Sequence, residues 1–477
     1  MLKLYNSLTK QKENFQSLAE EKNKTKKVTM YTCGPTVYDY AHLGNLRTYI
    51  FSDVLHRVIE LAGYRVKQVM NITDVGHLTS DEDFGEDKIE KGARREKKSP
   101  QEIADFYTKA FLSDLKKLNI KIPKLLPKAT DHIPEMIDFI KRIAKARLTY
   151  ETKDGVYFNT FKAKDYGALS KQKIDLKRRS RIKKSKDKKS PTDFALWLKA
   201  VGRHKNHLQT WDSPWGRGFP SWHIECSAMS EKYLGREFDI HTGGVDHIPV
   251  HHENEIAQSA AANKVIPAKF WLHGAFLLVD KEKMAKSENN FLTLSDIIKK
   301  GFDPLIFRFL CLTNHYRSQM DFNWDEMDEA GKALKKIRSS IVRLKSLSDN
   351  AGRPEGAEVV VGQEQTSVLR LFYDDLNTPM ALDKIFEVVR YINDPKISFS
   401  QKEIKKIISL FEKADQVLGL DLLEEIIIPS QIEKLAKERQ RAKLEQNFKK
   451  SDIIRKKIEK EGYKIEDLDN KYRIIKM

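Results

Sequence analysis

Four groups of residues in this 477-residue chain have the types and spacing to do chemistry. The first is His42-Leu43-Gly44-Asn45, which follows Cys33-Gly34-Pro35-Thr36-Val37-Tyr38-Asp39. His42 and the Asn45 amide can each donate to a phosphate oxygen, and Gly44 lets a nucleotide approach the backbone closely. At a helix start they would add to free backbone N–H groups and a positive dipole end, a setting suited to charge developing at an α-phosphate. The second group is Lys283-Met284-Ala285-Lys286-Ser287. Lysines three apart in a loop can reach one face and neutralise β- and γ-phosphates as pyrophosphate leaves. Two lysines in a polar loop are ordinarily solvated charge; the pairing with the first group reverses that reading. The third is His241-Thr242-Gly243-Gly244-Val245-Asp246, whose paired glycines permit close approach to a base or ribose and whose Asp246 can accept a sugar hydroxyl.

The fourth group is His251-His252-Glu253-Asn254-Glu255, running into Ile256-Ala257-Gln258-Ser259-Ala260-Ala261-Ala262. That continuation predicts a helix, with His251 and Glu255 at i and i+4 on one face. Imidazole and carboxylate suit zinc, as do thiolates. Cys33 and Cys226 supply two thiols of the right kind, although spacing alone does not join residues so far apart in the chain.

The elements that must position these groups follow from periodicity. Val28 to Cys33 reads as a buried strand. Leu46, Tyr49, Ile50, Val54 and Leu55 mark a helix, and Arg65 to Ile72 reads as a second strand. Strand, helix and strand predict a parallel βαβ unit, with ligands at the carboxyl ends of the strands. Ala275 to Val279 reads as a strand leading to the paired lysines. From Phe322 onward helical patterns dominate, roughly at 324–347, 364–375, 379–393, 400–417 and 430–446, with a linker at 352–362. The fold class expected is α/β: a Rossmann-type parallel-sheet catalytic domain over 1–300 with a connective insertion at about 120–225. A stem-contact helical region at 301–350, a helical bundle at 351–428 and a small basic module at 429–477 would follow.

Charge adds a partner. There are 86 Lys and Arg against 68 Asp and Glu, a formal excess of +18 that implies nucleic acid. Half of it, eleven basic residues against two aspartates, lies in 171–189, a stretch suited to phosphate contact. No secretory segment or bilayer-length apolar run is visible, and three cysteines are too few for a disulfide framework. The expectation is a cytoplasmic protein with no membrane partner.

In these segments the chain resembles the cysteinyl-tRNA synthetase family of class I enzymes over essentially its full length. Met30 to Asp39, Asn71-Ile72-Thr73-Asp74, Trp222 to Met229, His251 to Glu255 and Lys283 to Ser287 carry the resemblance, with Glu438-Arg439, Ala442-Lys443 and Ser451 to Arg455 in the tail. The resemblance implies a Zn²⁺ ion, one per subunit, on Cys33, Cys226, His251 and Glu255, taking the substrate thiolate as a further ligand. It implies an amino-acid pocket at Gly34, Thr36, Thr73, Trp222 and His241. ATP with Mg²⁺ would bind at His42, Gly44, Asn45, Gly243, Gly244, Asp246 and Lys286, with His42, Asn45, Lys283 and Lys286 catalytic. L-cysteine and tRNA-Cys would be the partners of a monomer. A serine hydroxyl is a poor zinc ligand beside a thiolate, so selection needs no editing domain. Asn45 stands where the family's first signature has a second histidine, Leu43 replaces its isoleucine, and Ala285 replaces a serine of the second. The 75–87 segment is longer than the family form; its His77 reads as a loop residue. Two rival readings stay open: a cysteine ligase acting on a small amine, and a non-catalytic RNA-binding paralogue.

Overall fold

The computed structural model describes residues 1–76, 87–164, 166–171, 188–284, 290–347, 367–423, 429–468 and 471–476. Lys286, His77, the 352–362 linker and most of the 171–189 run, for which the sequence predicts roles, lie outside the described residues.

The central layer is a four-stranded parallel sheet in the order Ala268–Gly274, Phe238–Gly244, Lys27–Thr32, Arg65–Met70. Lys27–Thr32 runs level with Arg65–Met70, Thr32 opposite Met70, and on its other side Thr32 pairs with Thr242. The second strand in sequence lies on one side of the first and the third strand on the other. The crevice at their carboxyl ends is therefore the topological switch point, the place where such sheets bind ligands. Cys33 leaves the first strand there, and Gly243 and Gly244 end the third.

Helix Leu43–Leu61 connects the first two strands and buries Leu46, Ile50, Val54 and Leu55 against the sheet side, as the spacing predicts. A four-stranded antiparallel sheet, Thr149–Glu151, Gly155–Phe158, Phe194–Lys199 and Gly218–Pro220, is inserted before the third strand. It shares one apolar core with the parallel sheet, in which Phe158, Phe194 and Trp197 pack in the same cluster as Tyr31, Cys33, Cys226 and Trp271.

Helices Trp324–Leu347, Thr378–Asn393 and Gln401–Leu418 follow, close to the predicted spans. The pattern read at 364–375 is helical only over 367–372 among the described residues, because Asp375 and Leu376 take positive φ and break it. The second sheet strand stops at Met70, and the strand expected from Ala275 begins at Leu277. Residues Asp421–Met477 form a separate compact unit. It is a helical pair, Ser430–Leu444 and Phe448–Lys460, with a hairpin, Tyr463–Leu468 and Lys471–Lys476, around Ile432, Ile454, Ile458 and Ile465.

A buried carboxylate holds the first helix to the helical region. Asp53 Oδ2 accepts from Arg57 Nε at 2.8 Å and from Arg308 Nη2 at 2.6 Å, and Oδ1 accepts from the Lys121 amide at 2.9 Å. Arg308 also donates to Leu418 O at 2.6 Å and Leu118 O at 3.0 Å. Burial opposes the Asp53 charge, but the two arginines outweigh it and hold the carboxyl below its ordinary range. A group depressed in the fold stabilises above its unfolded pKa, about 3.9, and loses that contribution as pH falls through the folded value. We predict that Asp53→Asn costs about 3–5 kcal/mol near pH 7, read from urea midpoints, because it leaves two buried guanidinium groups uncompensated. The gap from the parent chain should narrow below about pH 4; a gap that widens there contradicts this role.

Candidate active site and metal centre

At the switch point the chain places Cys33, Cys226, His251 and Glu255 with one ligand atom each inside 4.8 Å of one another, all buried. Cys33 lies just past the first strand, Cys226 in helix Trp222–Leu234, and His251 and Glu255 one turn apart in helix His251–Asn263. The two sulfurs stand 4.0 Å apart. Sulfurs sharing a tetrahedral zinc at about 2.3 Å would be separated by roughly 3.8 Å.

His251 Nδ1 lies 2.9 Å from His223 Nδ1. Its Nε2 lies 3.0 Å from Glu255 Oε1, but off hydrogen-bond geometry, and is a buried polar atom with no hydrogen bond. Such atoms are costly unless something fills the space. Glu255 Oε2 is held by His241 Nε2 at 2.9 Å, which fixes the carboxylate from behind. The donor set therefore fits a zinc-like ion. A second, overlapping set is Cys33, His241, His252 and Glu255. Its His252 already meets His273 Nε2 through Nδ1 at 2.8 Å, and His273 Nδ1 meets Ser7 Oγ at 2.8 Å.

The electrostatics of the cluster favour charge at Cys226, His251 and Glu255 but not at Cys33. Burial pushes the Cys33 thiol well up, with the Cys226 hydrogen bond next. Burial opposes ionisation of Cys226 too, but its hydrogen bond with Cys33 and the His251 ring beside it lower it overall. Burial works against both charges of the His251–Glu255 pair. Glu255 and Cys226 nevertheless lift His251 to about 10, and His241 and His251 hold Glu255 at about 2. His252 is driven well down by burial and by the neighbouring imidazoles of His241 and His273.

Around this cluster lie the residues expected for the pocket. Trp222 stacks on the His251 ring with centroids 4.1 Å apart. Thr73 Oγ1 donates to Glu225 Oε2 at 2.8 Å and accepts from Asn71 Nδ2 at 3.0 Å. Asn71 Oδ1 accepts from the Gly34 amide at 2.8 Å and from the Cys226 thiol at 3.7 Å. Thr36 bridges to Thr73. At Gly34 any Cβ would stand 1.5 Å from Asn71 O, so only glycine fits. Asn71, Glu225, His223, His252 and His273 were given no role by sequence reasoning. Asn71, Glu225, His223 and His252 lie within segments already singled out; nothing in the sequence marks His273.

His42 is the N-cap of helix Leu43–Leu61. Its Nδ1 accepts from the Asn45 amide at 3.2 Å, and Asn45 Oδ1 accepts from the His42 amide at 3.2 Å. With Nδ1 accepting, the ring proton of the neutral imidazole sits on Nε2. Burial lowers His42 to about 4, against the pull of the Asp246 carboxylate, so the ring is neutral at physiological pH. The capping box leaves the Asn45 Nδ2 as the donor for a ligand.

The flanks of the second lysine group come to this same helix start. Leu43 N donates to Leu292 O at 2.9 Å, His42 bridges to Thr293, and the His42 and Phe291 rings meet edge to face at 5.5 Å. A Cβ on Gly44 would stand 3.1 Å from Met284 Cε. Lys283 lies in the two-residue strand Glu282–Lys283. Behind the cluster, Glu253 of the ligand helix accepts from the amides of Gly167, Leu169 and Ser170 at 2.8, 3.1 and 2.8 Å. That grip anchors the chain just before the basic run.

Comparison with known proteins agrees with this geometry. A family model described as the catalytic domain of class I (C) tRNA synthetases matches residues 19–332, and the DALR domain model matches 371–423. The chain is 43% identical to a cysteine–tRNA ligase of Treponema denticola, over 98% of each chain. It is 45% identical to cysteine–tRNA ligase 1 of Burkholderia lata, over 94% of this chain and 93% of that one. Among solved structures, methionyl-tRNA synthetase of Mycobacterium tuberculosis with methionyl-adenylate shares the fold. Its TM-score is 0.58 at 15% identity, over 83% of this chain and 90% of that one. A buried thiol-rich cluster at the switch point, a capped His-Leu-Gly-Asn helix start, and near-full-length identity above 40% place this chain in the cysteine–tRNA ligase family of class I aminoacyl-tRNA synthetases.

Proposed function

We propose that this chain activates L-cysteine with ATP and transfers the cysteinyl group to the terminal adenosine of tRNA-Cys. The observation that carries the reading is the Cys33, Cys226, His251 and Glu255 cluster beside the His42 cap. Of the two overlapping donor sets, this one offers two sulfurs where the other offers one. Bound there, Zn²⁺, one per subunit, would supply a soft Lewis acid that favours a substrate thiolate over a hydroxyl.

The chain's own residues do the rest. Gly34, Thr36, Thr73, Trp222 and His241 shape the amino-acid pocket, with Asn71 and Glu225 ordering Thr73. The substrate carboxylate attacks the α-phosphorus in line and pyrophosphate departs, with Mg²⁺ accompanying ATP. His42 Nε2–H and the Asn45 amide donate to oxygens whose charge grows in the transition state. Gly44, Gly243, Gly244 and Asp246 receive the nucleoside, and Lys283 and Lys286 neutralise the leaving phosphates. In the second step the adenosine hydroxyl displaces AMP from the cysteinyl carbonyl. No protein nucleophile is needed; positioning and electrostatics supply the rate.

The catalytic domain over 1–300 with its insertion at about 120–225, the stem-contact region at 301–350, the bundle at 351–428 and the basic module at 429–477 would divide tRNA binding between them. The working form is a cytoplasmic monomer. A chain matching the DALR domain model favours tRNA as acceptor over a small amine.

Purified protein should charge tRNA-Cys with cysteine and reject serine, and a zinc chelator should abolish both exchange and selectivity. Adenylate formation without tRNA charging would instead favour the small-amine ligase. Cys226→Ser should lose bound zinc, measured by elemental analysis, along with discrimination against serine. Full metal occupancy in that variant would remove Cys226 from the ligand set. His42→Ala should slow cysteine-dependent pyrophosphate exchange by about 10²–10³ with little change in cysteine KM. A wild-type rate would take His42 out of the mechanism.

A further inference from the structure

Arg47 sits two residues beyond Asn45 on the same helix, and its guanidinium is almost completely buried. Nη1 donates to Ala275 O at 3.0 Å and Phe276 O at 2.6 Å, and Nη2 to His315 O at 3.3 Å and Ser318 O at 2.6 Å. Its hydrogen-bond partners among the described residues are thus four backbone carbonyls from two separate segments. A buried guanidinium can satisfy several acceptors at once through its planar fork, which an ammonium on a flexible stem cannot reproduce.

The two segments are not arbitrary. Ala275 and Phe276 lead directly into strand Leu277–Val279, whose Leu278 pairs with Lys283. Arg47 therefore fixes the upstream flank of the Lys283–Ser287 group to the helix that begins at His42. The downstream flank is tied to the start of that helix through Leu43 N and Leu292 O. Both flanks of one phosphate-binding segment are held by the helix that carries the other.

The second segment, 315–318, is gripped from its far side. Asp375 Oδ1 accepts from Tyr316 Oη at 2.7 Å, and Oδ2 accepts from Arg317 Nε at 2.9 Å. Ala275 N also donates to Tyr316 O at 2.8 Å, so the two segments are joined to each other as well. Asp375 lies within the DALR-matching region.

We propose that Arg47 is a positioning residue for adenylate formation, setting the separation of the His42–Asn45 donors from the strand that ends at Lys283, with Asp375 as the outer anchor of the same clamp. The inference rests on the adenylating function proposed above, and wild-type exchange activity tests that function separately. A misplacement of about 1 Å in such a site can cost about 10²-fold in rate. Because Arg47 holds backbone rather than ligand, its loss acts on kcat.

The test is cysteine-dependent ATP–pyrophosphate exchange in the full chain, per metal-loaded site, for R47K, D375N and the double variant. R47K should lower kcat by about tenfold or more with KM for ATP and cysteine within about threefold. D375N should lower it less, and the double variant should fall close to R47K alone, since both act through one clamp. A purely structural role predicts a lower melting temperature with unchanged kcat per folded site; that outcome overturns the proposal, as do additive effects in the double variant. Should R47K not fold, D375N decides: a reduced kcat at unchanged KM supports the clamp, and an unchanged kcat overturns it.

Discussion

Two sulfurs, an imidazole and a carboxylate drawn into one buried space are the constraint on which the rest of this structure depends. Such groups repel, trap protons or demand a partner when removed from water. Each is therefore held from outside. His223 meets the far nitrogen of His251, His241 holds the far oxygen of Glu255, and Asn71 faces Cys226. The insertion adds apolar neighbours, with Phe194 packed edge-on to the His223 ring. A parallel sheet suits this task because its switch point brings chain ends from both directions to one place.

The helix start at His42 is built differently. Its groups sit where the backbone already supplies donors, and one imidazole serves as the cap. The cap consumes Nδ1 and so puts the ring proton of the neutral imidazole on Nε2. Asn45 in place of a histidine keeps this arrangement, because its side-chain oxygen returns the hydrogen bond to the His42 amide. The departure from the family signature thus has a local structural use.

What was legible in the sequence was chemistry that stays local. A histidine and a glutamate one turn apart, a Gly-Asn at a strand-to-helix junction, and alternating apolar strands all announce themselves within a few residues. Cys33 and Cys226 joined the set only through family resemblance, since nothing across their sequence separation of 193 says that their sulfurs meet. The same holds for Asp53 with Arg308 and for Arg47 with the 315–318 carbonyls: buried arginines look like surface charge until the fold brings carbonyls around them. The helix read at 364–375 stops short for a backbone reason, two consecutive residues in the left-handed region, which aspartate tolerates but leucine does not advertise by type.

Glu253 gives the ligand helix a second allegiance. One face of it presents His251 and Glu255 to the metal space, while Glu253 fastens the backbone at 167–170. The root of the basic stretch is therefore moored to the helix that carries the cluster. A pull on the chain that leaves Ser170 is taken up by this one carboxylate before it can reach His251 or Glu255.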